Sequence, residues 1–191
     1  MKKLLFSRKS ECIQPLRSLI EKQTHRTLVM WTLDCAPRIL AIFEDAYPDD
    51  FRPRTALDMA TAWSRGAIKM SVAKKAILSA HNAATDAEEN PAAQAAARAC
   101  GHAAATVHVE THALGLVFYG LTAFVYATGT QDTDEIVTKE LAWFYNRLLH
   151  WEANTGSVTT PWADFLLKEA PNKERLLHLK EEEKASEKSG L

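Results

Sequence analysis

Apolar residues recur at three- and four-residue intervals along most of this chain, and no run shows the strict alternation of a half-buried strand. The pattern predicts an all-α fold, a single-domain helical bundle of about six main helices with one or two short C-terminal helices. A first helix is expected over about Ser10 to Lys22, with Pro15 tolerated in its first turn. A second follows Thr24, a good N-cap, and runs through HRTLVMWTLDCAPRILAIFEDA to Pro48. Leu28, Trp31, Cys35, Ile39 and Ile42 form its buried stripe. Pro37 lies inside it, removes one backbone donor and predicts a kink.

The segment YPDDFRPR reads as a loop before a third helix, capped around Thr55 and ended by Gly66, with Ala56, Met59, Ala60 and Trp63 facing inward. Ser71 caps a fourth, about Val72 to Glu88. Asn90 and Pro91 open a long fifth segment reaching Ala127, in which Gly101, Gly115 and Gly120 are the expected points of bending or division. A sixth helix starts at Asp132 and carries Trp143, Phe144, Leu148 and Trp151. Beyond Asn154 the pattern weakens. Pro161 opens a short helix, TPWADFLLKEA, and Pro171 a last one that frays into KEEEKASEKSGL. Residues 1–154 are therefore read as the bundle and 155–191 as an extension.

Composition sharpens this picture in one place. The stretch from Ala73 to Ala127 is rich in alanine, the best helix former, yet carries His81, His102, His108 and His112. Lys and Arg number 23 against 24 for Asp and Glu, a net charge of -1, so no bulk field draws nucleic acid or an anionic membrane. Cys12, Cys35 and Cys100 are scattered and odd in number, which fits reduced thiols and a cytoplasmic protein. LLF is too short for a signal-peptide core, and LGLVFYGLTAFVYA falls short of the roughly twenty apolar residues of a membrane span. No phosphate loop, dinucleotide fingerprint or nucleophile elbow is present, so no catalytic residue is assigned.

On a continuous helix His108 and His112 would sit about 40° apart around the axis and roughly 6 Å apart along it, the spacing of two zinc ligands. A zinc protease needs Glu directly after the first His, where this chain has Val109. Two readings stay open. One is a zinc or other transition-metal site built from His81, His108, His112 and Asp34, or Glu110 in its place, serving a metal-dependent hydrolase or a metal-binding bundle. The other is a set of hydrogen-bonded core imidazoles with no cofactor. His102 precedes His108 by six residues, about 120° around a straight helix, and falls outside the metal set.

Asp34 and Arg38 have the spacing of an intrahelical ion pair. Arg52 and Arg54 flank Pro53 beside Glu44, Asp45, Asp49 and Asp50, the nearest carboxylates for their guanidiniums. Arg98, among alanines, either faces solvent or pairs with an interior acid. The five tryptophans read as anchors at helix crossings, with an interface role open for Trp151 and Trp162.

Taken in order, HRTLVMWTLDCAPRILAIFE, DDFRPRTALDMATAW with RGAIKM, AILSAHNAA and AAARACGHAAATVHVETHA resemble the immunity-protein family of bacterial polymorphic-toxin loci, over about His25 to Trp151. The resemblance falls on Trp31, Asp34, Cys35, Ala36 and Arg38, on Arg52, Pro53 and Arg54, and on Trp63, His81, Arg98, Gly101, His108 and His112. It implies an all-helical bacterial protein, more a binder than an enzyme, that neutralises a cognate toxin by occlusion. Asp34, Arg38, Arg52, Arg54, His81, Arg98, His108 and His112 then form a binding surface or an internal polar network. A second alternative is a small-ligand binder or an oligomeric scaffold, a homodimer joined through Gly115 and Gly120 of the apolar helix GLVFYGLTAFVYA.

Overall fold

Caps and prolines set where the helices begin. The computed structural model describes residues 4–129 and 133–168, and among them are seven α-helices and no strand. They are α1 (Gln14–Ile20), α2 (His25–Ala46), α3 (Arg52–Ser64), α4 (Met70–Asp86), α5 (Pro91–Ala105), α6 (Ala113–Thr128) and α7 (Thr133–Asn154). Thr24 caps α2 as expected, its hydroxyl accepting the Thr27 N–H at 3.2 Å. Asn90 does the same for α5, accepting from Ala93 N at 3.1 Å, with Pro91 in the first turn.

The all-α reading holds, but several boundaries move. The expected fifth segment is two helices, and the division comes at none of its glycines. α5 stops at Ala105, Val109 is extended at φ -142°, and a short 3₁₀ turn, Glu110–His112, leads into α6. Thr106, Val107 and Val109 are β-branched and lose rotamer freedom in a helix. The His25 Nε2–H of α2 also donates to the Thr106 carbonyl at 2.6 Å, occupying the oxygen that a continuing helix would give to residue 110.

α3 starts at Arg52, ahead of Thr55, because Asp50 Oδ1 accepts the Arg52 N–H at 3.1 Å and Pro53 suits a first turn. The triplet Arg52-Pro53-Arg54 is thus helix and not loop. α4 starts at Met70 after an extended Lys69, one residue before the predicted Ser71 cap. α2 passes through the exposed Pro37 uninterrupted, where solvent can reach the carbonyl that the ring leaves unpaired.

α5 is the centre of the bundle. It packs against α2, α3, α4 and α6, and ten of its fifteen residues are buried, all of them Ala, Cys or Gly. Small side chains let the surrounding helices approach closely, and the bulk of the core comes from those helices: Trp31, Ile39 and Phe43 of α2, Leu116 and Leu121 of α6, and Phe144 and Leu148 of α7 are fully buried. Each such side chain contributes about 1.5–3 kcal/mol. Trp31 also donates its indole N–H to the Phe144 carbonyl at 3.0 Å and meets the Phe144 ring edge-on, fixing α2 on α7.

By length and composition Glu110–Thr128 is apolar enough to cross a membrane, contrary to the sequence reading, but 56% of that window is buried inside the bundle, as befits a core helix. The predicted helix at TPWADFLLKEA is instead a 3₁₀ turn, Asp164–Leu167, preceded by another at Thr155–Ser157. This strap lies on the end of α3. Ala163 N–H donates to the Ser64 carbonyl at 2.8 Å, Phe165 stacks near Trp63, and Leu166 is buried. The helix expected after Pro171 and the charged tail fall outside the described residues.

Candidate functional site

The break after α5 regroups the histidines. His112, in the turn before α6, meets His102 of α5 with their Nδ1 atoms 3.0 Å apart, and His81 of α4 stands edge-on to His102 at 5.5 Å between ring centres. His102, set aside on the assumption of a straight helix, is the middle member of the cluster. Its other face stacks on Tyr119 of α6 at 5.1 Å. His108 leaves the group and lies exposed against Trp63 at 5.9 Å. The set His81, His108, His112 and Asp34 is therefore not assembled. Among the described residues no group of three His, Cys, Asp or Glu side chains is placed to share a metal ion.

Two glycines make room for these rings. A Cβ at Gly101 would lie 2.6 Å from His81, and one at Gly115 would lie 2.4 Å from His102. A Cβ at Gly120 would meet Ile39 at 2.7 Å. Gly115 and Gly120 thus serve packing inside the chain, which removes them as the contact of a homodimer. Burial first, then His112, His81 and Arg98, push His102 down to about 3. Burial, with Arg98 and His112, also lowers His81, whose Nδ1 is buried without a hydrogen-bond partner. Both rings are neutral near pH 7 and act as packing groups.

The second cluster joins α2 to α7. Asp34 and Arg38 do not pair with each other. Asp34 accepts from Arg147 Nε at 2.7 Å and from the Trp151 indole N–H at 2.9 Å. Arg38 pairs with the buried Glu140 at 2.6 Å and lies over the rings of Trp143 at 4.6 Å and Phe124 at 5.1 Å. Partners more than a hundred residues away outcompete the local pair because α7 brings its charges to the half-buried side of α2. Beside Asp34 a pocket of about 250 Å³ opens between α2, α3, α7 and the C-terminal strap.

The remaining charged candidates are also engaged inside the chain. Arg52 holds Asp50 at 2.6 Å and Asp86 of α4 at 2.7 Å, and its guanidinium lowers the Asp50 carboxyl below the usual range. Arg54 forks onto Glu44 with two bonds of 2.6 Å, and Arg98 donates to Thr85 Oγ1 at 3.2 Å. Burial raises the Cys35 and Cys100 thiols, so neither supplies a thiolate. Sequence reasoning missed His25, Asp86, Glu140 and Arg147. None stands at a local spacing that marks its partner. Only the β-branched run at Thr106–Val109 signals the break that reorganises the histidines.

No curated protein and no solved structure matches the chain. One family model matches residues 18–150, spanning α2 to α6 and most of α7, with the histidine cluster and the Asp34–Arg147 and Arg38–Glu140 pairs inside it and Trp151 just beyond. On that match, which extends over most of its length, the chain belongs to the Imm-5 like putative immunity protein family.

Proposed function

We propose that this chain binds a cognate bacterial toxin and neutralises it by occluding the toxin's working surface, in the cytoplasm of the producing cell and without a cofactor. The family match over residues 18–150 carries the reading. The geometry supports it, because the polar residues that would suit chemistry are spent on holding helices together: Asp34 on Arg147, Arg38 on Glu140, Arg52 on Asp50 and Asp86, Arg54 on Glu44. A rigid scaffold of this kind presents a surface with little entropy to lose on binding.

The test is co-expression with the toxin domain encoded at the same locus. The chain is expected to restore growth and to co-purify with the toxin in a complex that excludes the toxin's substrate. Undiminished killing while both proteins are soluble and folded would overturn the reading. Growth rescue by a chain that leaves substrate access open would overturn occlusion alone.

Metal content is a separate check. Protein purified without chelator and dialysed against metal-free buffer is expected to carry well under one equivalent of Zn, Mn or Fe by plasma mass spectrometry. A stoichiometric metal lost in both His108→Ala and His112→Ala would restore the metalloprotein reading.

A further inference from the structure

The carboxylate of Asp34 is held asymmetrically. Its Oδ2 accepts all three of its hydrogen bonds, two from Arg147 and one from Trp151. Its Oδ1 accepts none from the protein, although a carboxylate has about four lone-pair sites to fill. Asp34 lines the 250 Å³ pocket with Met30, Leu33, Trp151 and Trp162, and Arg65 stands exposed at its rim. The site thus combines a fixed carboxylate that has one open oxygen with a lining of apolar side chains, two tryptophans and the hydroxyl residues Thr61, Ser64 and Thr160.

We infer that this pocket receives the charged end of a lysine or arginine side chain projecting from the bound toxin, an inference that rests on the toxin-binding reading. A carboxylate oxygen only accepts, so the guest must donate. Aromatic rings attract a cation more than a neutral donor, and tryptophan, which lines the pocket twice, is the strongest of the aromatic residues in this respect. The volume falls below the roughly 300–1,000 Å³ of sites for drug-sized ligands, but suits the end of one side chain. Arg147 pre-orients the acceptor, so little ordering remains to be done on binding. The exposed Arg65 guanidinium, which has no ion-pair partner among the described residues, is placed to meet an acidic residue flanking the guest. Trp151 and Trp162 both lie beyond the matched residues 18–150, so the indole side of the pocket comes from outside the region shared with the family.

The pocket can be tested without the toxin by titrating ¹⁵N-labelled full-length protein with butylguanidinium chloride and following the five indole N–H resonances. Saturable shifts at Trp151 and Trp162 are expected with Kd on the order of 1 mM, the range of a small fragment. Sodium chloride and butanol should leave them in place, and Asp34→Asn or Trp162→Ala should abolish the response. Trp162 stands in the strap and is not part of the central core, so its variant keeps the test open if Asp34→Asn fails to fold. No shift at about 10 mM, or the same shift in a folded Asp34→Asn or in Trp162→Ala, overturns the pocket.

With the toxin, the two variants are expected to raise Kd at least tenfold. An unchanged Kd would overturn the docking role and leave toxin binding standing. Guanidinium shifts in a protein that forms no toxin complex would instead overturn the toxin reading.

Discussion

Replacing Gly115 by alanine is expected to destabilise the protein by about 3 kcal/mol, the upper part of the usual range for overpacking a closed core. The added methyl would lie 2.4 Å from His102 Cγ and Nδ1 and 2.8 Å from His102 Cβ. Because the Cβ is fixed to the backbone of α5, a rotamer change does not relieve the contact, and two helices must separate. They are α5 and α6, which share an extensive interface. Denaturant unfolding of Gly115→Ala, His102→Ala and the double variant would measure the effect. The double variant should cost less than the sum of the singles, with a coupling energy of about 0.5–3 kcal/mol. Strict additivity would show that the glycine is there for some other reason than to seat the imidazole.

Acid should destabilise the fold well before the carboxylates titrate. His102 has a folded-state pKa of about 3, against 6.5 when exposed. As the pH falls below 6.5 the unfolded chain takes up a proton that the folded chain refuses, so this histidine costs about 1.4 kcal/mol of stability per pH unit. The loss continues until the folded pKa is reached, and His81, also lowered, adds in the same direction. Against a typical total of about 5–15 kcal/mol, a shift of two pH units is readily measured. The groups facing the cluster are His81 from α4, Arg98 from α5, His112 from the turn and Tyr119 from α6. Asp50, whose carboxyl is lowered by Arg52, makes its own contribution only below its unfolded value of 3.8, outside the window. Urea midpoints between pH 7.5 and 4.5 should fall steeply for the native sequence and less steeply for His102→Phe. Equal slopes in the two proteins would sink the assignment.

Local signals carried much of the architecture. Thr24 and the Asn90-Pro91 pair open their helices as their chemistry requires, and Trp31, Cys35 and Ile39 fall on the buried face that their spacing indicates. The candidate site was less legible, since its pairings are set by packing between elements. Asp34 has Arg38 four residues away, yet bonds to Arg147, 113 residues distant. Periodicity says which face of α2 is half-buried and not which helix will cover it. The histidines failed for a different reason. The 3.6-residue rule applied to His102, His108 and His112 assumes a continuous helix, and the β-branched residues from Thr106 to Val109 break that assumption. In the sequence the glycines read as points of bending or division, whereas Gly101 and Gly115 act as recesses for rings from neighbouring helices.

The alanine surface of α5 has a mechanical consequence. A helix clad in methyl groups is nearly a smooth rod, and a smooth rod offers its neighbours many axial positions of similar energy. Ridges of leucine would set the stagger, but here they are missing from the central member. The ring of His102 fitted to Gly115, and that of His81 fitted to Gly101, act as keys in keyways. They index α6 and α4 along the shaft, so that a chain deprived of both imidazoles would keep its helices but lose the single alignment that gives its outer surface one shape.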